Sequence, residues 1–498
     1  MAAGYDLIVI GGGAAGLGAA RGGVAAGART LLVSAGEIGG ECTFTGCVPS
    51  KTLIESAARG ATFGVAMAAV RHAVAAIAAT ETPEVLAREG IEVLRGSAVF
   101  TSPREVRVDG HGLRARAFVV ATGSEPSAPP VPGLAEAGYL TSETVWDLAE
   151  LPGRLAVLGG GAVGCELAQA FARLGSRVTV VEADPRLLPA ADPAASHVIE
   201  EVFRAEGISV HTGVAAASVK HDENSMSLTL ASGEEVTANR LLVATGRKPV
   251  AGHLGLEAAG VRLDERGYIV TDRHLAAGGE IYAAGDVTGR MPFTHAAFAM
   301  GRLAARNALR RRWSPPGAFA ASAIPWAVFT DPEVAQVGLT ESQAAARKGA
   351  RVAYLPMSEV DRAVTAGRTE GFVKIIAGPR RMLGGAGGGR VLGATIVAAR
   401  AGEMIHEPAL AMRTGLFTGR LAQAVHAYPT WSLAIQQAAA QFFGRFGGRT
   451  ARPPGRARPA LSARYGRHPS RPRPGAGACR AGRSPACQEP CPQGRPVG

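Results

Sequence analysis

Apolar residues in this chain gather first into short, unbroken runs between glycines, not into long amphipathic stripes. Leu7-Ile8-Val9-Ile10 reads as a strand buried on both faces, followed by Gly11-Gly12-Gly13-Ala14-Ala15-Gly16 and an alanine-rich helix. The pattern returns 148 residues later as Leu155-Ala156-Val157-Leu158, then Gly159-Gly160-Gly161-Ala162-Val163-Gly164 and another helix. Each copy goes on to a second strand, Thr30 to Val33 and Val178 to Val181. Both are strand–turn–helix–strand units with G-x-G-x-x-G at the turn, the setting a dinucleotide fingerprint requires. Gly11, Gly13 and Gly16, and in the second copy Gly159, Gly161 and Gly164, let the backbone turn tightly and approach a pyrophosphate at a helix N-terminus. Two such units in context predict two dinucleotides on one chain.

Between the repeats the pattern predicts helices over about 48–62 and 65–80, then strands over 91–108 and 116–121 that end at Ala121-Thr122-Gly123. A similar strand ends at Ala244-Thr245-Gly246, and a third, Ile281 to Ala284, ends at Gly285-Asp286. From about 320 the spacing changes to alternating strands, among them 371–376 and 391–397, joined by a glycine-rich hairpin loop over 384–389. Helices follow at 402–414 and 431–441, and a separate α+β domain is expected there. The domain expectations are 1–150, 151–272, 273–319 (returning to the first domain), 320–445, and a basic tail over 446–498.

Composition fits this outline. A chain of 498 residues is too long for one core, and 47% hydrophobic residues with 66 glycines describe a globular α/β protein. No stretch approaches the eighteen or so consecutive apolar residues of a membrane span, and Leu7–Ile10 lacks a basic flank, so no membrane partner is expected and the location is cytoplasmic by default. The net charge of +12 suggests nucleic acid until it is mapped. From Arg445 onward, twelve arginines against the single acid Glu489 hold +11 of it. That tail, rich in Arg, Pro, Gly and Ala, cannot bury a core and is expected to be disordered, and a nucleic-acid role for it is disfavoured.

The cysteines divide the same way. Cys479, Cys487 and Cys491 lie in the tail at irregular spacing with no histidine among them, which argues against zinc and against any metal site. Cys165 reads as a packing residue. The segment Gly39-Gly40-Glu41-Cys42-Thr43-Phe44-Thr45-Gly46-Cys47-Val48-Pro49-Ser50-Lys51 differs. Cysteines five apart can bridge if the loop turns, which Gly46 favours, and Pro49 suits the first turn of a helix starting near Cys47. A thiol there, one turn before Lys51, should be acidified and reactive.

With these landmarks in this order, residues 1 to about 445 resemble the flavoprotein disulfide reductases: dihydrolipoamide dehydrogenase, glutathione reductase and mercuric reductase. The resemblance implies two Rossmann-like domains, for FAD and NAD, and a C-terminal α+β dimerisation domain, hence a homodimeric enzyme acting on a small molecule. It implies that Gly11, Gly13 and Gly16 hold the FAD pyrophosphate, with Ser34, Gly40, Thr122, Gly123 and Asp286 around the rest of the flavin nucleotide. Cys42 would be the interchange thiol and Cys47 the charge-transfer thiolate of a redox-active disulfide. Lys51, paired with Glu166, would sit by the flavin. Gly159, Gly161, Gly164, Glu182 and Gly246 would hold the nicotinamide nucleotide. Pro325-Trp326 and Phe329-Thr330-Asp331-Pro332 match the start of the dimerisation domain.

The chain also departs from the family pattern. Where an acid is expected to meet the FAD ribose stands Ser34, with Glu37 nearby. Glu182, eighteen residues after Gly164, would repel a 2′-phosphate and favours NADH over NADPH, although Arg186 is close. The family's His-Pro-Thr run, with its glutamate three residues on, is here Tyr428-Pro429-Thr430-Trp431-Ser432-Leu433. Tyrosine replaces the base and leucine the glutamate, leaving His426 as the substitute. Asp361-Arg362-Ala363 resembles the mercuric-reductase-like branch, but no adjacent C-terminal cysteine pair is present. Three functions stay open: an NAD(P)H-dependent reductase of a quinone, metal ion or other electrophile; a dihydrolipoamide dehydrogenase-like enzyme using Tyr428 or His426; and a low-turnover flavoprotein for binding or redox sensing.

Overall fold

The computed structural model describes residues 4–222, 225–311, 313–380, 382 and 384–455. The two glycine-bearing repeats fold as parallel sheets. In the first, strands Tyr5–Ile10, Thr30–Ser34 and Ile91–Arg95 lie to one side and His111–Val120 and Ile281–Ala283 to the other, all parallel. Leu7, Ile8 and Val9 are fully buried, as a strand with helices on one face and further strands on the other must be. The second sheet runs Ser209–Thr212, Arg177–Glu182, Arg154–Leu158, Arg240–Val243, again all parallel.

The chain returns to the first sheet at Ile281–Ala283 and continues into the helix Thr294–Ala308, which packs along Ala14–Ala25. Their contact is made of glycine and alanine for a steric reason. A Cβ added at Gly301 would lie 1.9 Å from the Ala15 carbonyl oxygen, and one at Gly18 would lie 2.4 Å from that of Phe298. This close approach sets the N-terminus of Thr294–Ala308 beside the nucleotide-binding turn.

The C-terminal region is a five-stranded antiparallel sheet, in order Trp326–Val328, Glu333–Gly338, Arg390–Ala398, Phe372–Gly378, Arg351–Pro356, with helices His406–Thr414 and Leu433–Ala440 packed on it. One expectation needs correcting. Ordered structure does not stop at 445: Arg452 exchanges backbone hydrogen bonds with Val352 at 2.7 and 2.9 Å, extending the sheet edge, and Gly455 donates its N–H to Glu341 at 3.1 Å. Residues 456–498, where the rest of the expected tail lies, are outside the described residues. One helical segment is apolar by composition. The segment 63–88 contains an eighteen-residue window of mean hydropathy high enough for a membrane span, with Val65 and Ile77 exposed. It is two helices, Phe63–Ala78 and Pro83–Arg88, and the first packs Phe63, Met67 and Val70 into the core.

Candidate active site

The two fingerprints fold alike in detail. Gly11 and Gly159 both take φ +112, and a Cβ on either would strike the carbonyl ending the neighbouring strand, Ala121 at 2.3 Å and Ala244 at 2.5 Å. Gly16 and Gly164 lie against the carbonyls of Gly11 and Gly159, where a Cβ would fall within 2 Å. Gly13 and Gly161 have nothing within 4 Å of a Cβ position, so each turn keeps an open face at a helix N-terminus. That is the shape a pyrophosphate needs.

The first turn opens into a cavity of about 880 Å³. It runs from Gly11, Gly13 and Ser34, past Gly40, Thr122 and Gly123, to Asp286, and reaches Cys42, Cys47, Lys51 and Glu166. One elongated space thus joins a phosphate-binding turn to the cysteine pair, and a flavin dinucleotide fits it. Ser34 is buried and gives its hydroxyl to the Gly36 carbonyl, while Glu37 is paired with Arg95. Asp286 accepts a hydrogen bond from Ser124 at 2.9 Å, and Thr122 bonds the Val250 carbonyl.

At the far end, Cys47 is the first residue of the helix Cys47–Ala58 and Lys51 lies one turn on. Both cysteines are free thiols. Thr294, at the start of its helix, brings its hydroxyl to 3.1 Å from the Cys42 sulfur and 3.3 Å from that of Cys47. A hydrogen bond from Cys42 holds the Cys47 thiol down to about 6 against the opposing effect of burial, with Lys51 and Thr294 adding to the fall. The same bond, with burial, pushes the Cys42 thiol well above its ordinary range. The two thiols titrate as a coupled pair, with Cys47 the more acidic member and Cys42 the one that holds its proton more tightly. Lys51 Nζ lies 2.7 Å from Glu166 Oε2, and the nearly buried Glu166 takes the Phe329 amide on its other oxygen at 2.8 Å.

Other side chains brace this centre. Arg247 makes a two-pronged pair with Glu41, the neighbour of Cys42, and bonds Ser124 as well. Trp146 gives its indole N–H to the Thr45 and Ser142 carbonyls at 2.8 Å each, holding the loop between the cysteines. Sequence reasoning missed Thr294, Arg247, Trp146 and Phe329. Arg247, directly after a strand-end Thr-Gly, was the one with a local signal.

The second turn faces Glu182. Its carboxylate accepts the Gly160 and Asp184 amides at 2.5 and 2.8 Å, so a negative charge is fixed beside Gly161, and Gly246 leaves open space close to the strand end. Arg186 turns its guanidinium into its own loop, to the Pro189 and Ala191 carbonyls.

Tyr428 and His426 do not line the cavity. Tyr428 is 71% exposed and donates its hydroxyl to Asp361 at 2.9 Å. That hydrogen bond, to a carboxylate, raises the phenol further above its ordinary value. His426 has Nδ1 at 2.9 Å from the Ala424 carbonyl and Nε2 at 3.0 Å from Glu407. Burial pulls its pKa down, but the Glu407 and Ala424 bonds outweigh it and the net direction is up.

Residues 5–301 match the pyridine nucleotide-disulphide oxidoreductase family and residues 324–439 match its dimerisation domain. Among curated relatives, a dihydrolipoyl dehydrogenase of Thermus scotoductus is 36% identical over 87% of this chain and 96% of its own length. A mercuric reductase of Streptomyces lividans is 37% identical over 88% and 96%. Among solved structures, the HOCl-induced flavoprotein disulfide reductase RclA of Escherichia coli superposes with a TM-score of 0.79 at 30% identity, over 88% of this chain and 99% of that one. This chain belongs to the FAD-dependent pyridine nucleotide-disulphide oxidoreductases, enzymes that use FAD and a nicotinamide nucleotide around a redox-active cysteine pair.

Proposed function

We propose that this chain is an NADH-dependent reductase whose Cys42–Cys47 pair serves a non-lipoamide acceptor: a quinone, a metal ion or another electrophile. The observation that carries this is the hydrogen bond from Tyr428 to Asp361, which leaves a tightly held phenol proton at the position where the family resemblance puts the base for dithiol exchange. His426 supports the same reading. The Ala424 carbonyl and the Glu407 carboxylate occupy its two ring nitrogens, so neither nitrogen is turned toward an incoming thiol.

Gly11, Gly13, Ser34, Thr122 and Asp286 would hold FAD, which would supply two-electron chemistry between the nicotinamide and the disulfide. The chain supplies the rest. Thr294 orients both sulfurs, Lys51 offsets the charge on Cys47, and Glu166 keeps Lys51 in place. Reoxidation of the dithiol forms the S–S bond, its two electrons passing to the acceptor and the remaining thiol proton being released. The proposed working form is a cytoplasmic homodimer with a small-molecule substrate and without a nucleic-acid or membrane partner.

The nicotinamide choice rests on charge. A 2′-phosphate would meet Glu182, with Arg186 turned away. NADH is expected to exceed NADPH in kcat/KM by at least about tenfold, and Glu182→Ala to narrow the gap, since like charges at contact cost a few kcal/mol. Equal efficiency for the two nucleotides in the unaltered enzyme would rule this out.

The function itself is tested by one anaerobic series. Reduction by NADH should give a long-wavelength thiolate-to-flavin absorbance that Cys47→Ser abolishes with flavin retained. Acceptors are then compared, and NADH:menadione turnover should exceed NAD-dependent dihydrolipoamide oxidation by about tenfold or more. Brisk dihydrolipoamide oxidation would falsify the proposal.

A further inference from the structure

The helix Ala162–Leu174 carries Glu166, Gln169 and Arg173 along one side, and all three grip the same short segment at the start of the C-terminal sheet. Glu166 accepts the Phe329 amide at 2.8 Å. Gln169 accepts the Asp331 amide at 2.6 Å and donates to its carbonyl at 2.8 Å, and Arg173 reaches the Asp331 carboxylate at 2.8 Å. Backbone and side chains from 329 to 331 are therefore fixed relative to this helix. The consequence falls on Lys51, whose Nζ lies 4.8 Å from the centre of the Phe329 ring.

We propose that Phe329 is a positioning residue of the redox centre, its ring holding the Lys51 ammonium beside Cys47 while its amide orients the carboxylate that shares that ammonium. Lys51 has a flexible four-carbon stem, and its side chain keeps about a third of its surface exposed. Glu166 engages the ammonium at 2.7 Å and Ser50 at 3.3 Å. Neither fixes the stem on its own, and the negative face of a fixed aromatic ring gives the ammonium a further point of attraction. The ionisable groups facing Cys47 are Cys42, Lys51 and Glu166. Loosening Lys51 removes the cation of this set, and the thiolate is then held less strongly.

This inference rests on the reading of Cys47 as the thiolate that gives the long-wavelength absorbance. The experiment uses the full-length FAD holoenzyme, reduced with one equivalent of NADH, and follows that absorbance against pH. Phe329→Leu keeps the amide and removes the ring. It should move the pH midpoint upward by about half a unit to one unit, whereas Phe329→Tyr should hold it within about 0.2. In a Lys51→Met background the midpoint is already raised, and Phe329→Leu should add nothing.

An unmoved midpoint in Phe329→Leu overturns the proposal. So does a shift of the same size in both backgrounds, because that marks a packing disturbance independent of Lys51. If Phe329→Leu does not retain flavin, Phe329→Met fills a similar volume without a ring and carries the same expectation. Alkylation of Cys47 by iodoacetamide, followed on its own peptide by mass spectrometry, reads the same shift without flavin absorbance. Absence of the absorbance in the unaltered enzyme would then count against the charge-transfer reading and leave Phe329 to be judged by alkylation.

Discussion

The double variant Tyr428→His with Leu433→Glu is expected to raise NAD-dependent dihydrolipoamide oxidation about a hundredfold while leaving NADH:menadione turnover within about twofold, within the range a positioned acid–base supplies. Dithiol oxidation requires the incoming thiol to lose a proton as it attacks. The phenol of Tyr428 is a weak base for this task, and its bond to Asp361 makes its proton harder to remove. Leu433 begins the helix Leu433–Ala440, so a carboxylate there would occupy the first turn, where negative charge is favoured. Electrons can reach a quinone without that relay. The measurement is steady-state turnover with each acceptor at matched flavin content. No gain in dithiol activity would mean that the loss lies elsewhere in the substrate channel and that Tyr428 is not what separates the two chemistries.

Lys374→Met is expected to destabilise the protein by about 3–5 kcal/mol, the usual effect of leaving buried charges without their partner. The Lys374 side chain is 4% exposed, and its ammonium lies 2.8 Å from Asp192 and 2.9 Å from Glu341, both nearly buried. Arg452 adds a second cation at 2.6 Å from Glu341, more exposed and therefore worth less. A chain ending at Arg449 loses that cation and the bridge to Val352 together. It should melt several degrees lower, whereas a chain ending at Gly455 should match the full-length protein. Equal melting temperatures for the two shortened chains would show that residues 450–455 contribute nothing.

What was legible in the sequence follows from what fixes a residue type locally. Gly11 and Gly159 could be read because a backbone at φ +112 pressed against a carbonyl admits no side chain. Cys42, Cys47 and Lys51 could be read because one loop and one helical turn bring them together. Thr294 could not, since it meets the thiols from about 250 residues away in the chain. Phe329 meets Glu166 from 163 away and Arg247 meets Glu41 from 206 away, and no periodicity announces either. The error at 446–455 has a related cause: a segment joined to a sheet edge by backbone hydrogen bonds needs no apolar repeat.

The charge cluster around Lys374 also bears on how a nucleotide would arrive. The loop after Glu182 is tied at both ends: at one by the carboxylate's bonds to the Gly160 and Asp184 amides, at the other by Asp192, which accepts from Lys374 and from the Glu341 amide. Arg186 folds inward between them. If the proposed nicotinamide site is right, the rim on which its adenosine end settles is thus shaped before any ligand reaches it. Little chain entropy is left to lose on docking, so discrimination between nucleotides at this rim becomes a matter of fixed charge against fixed charge.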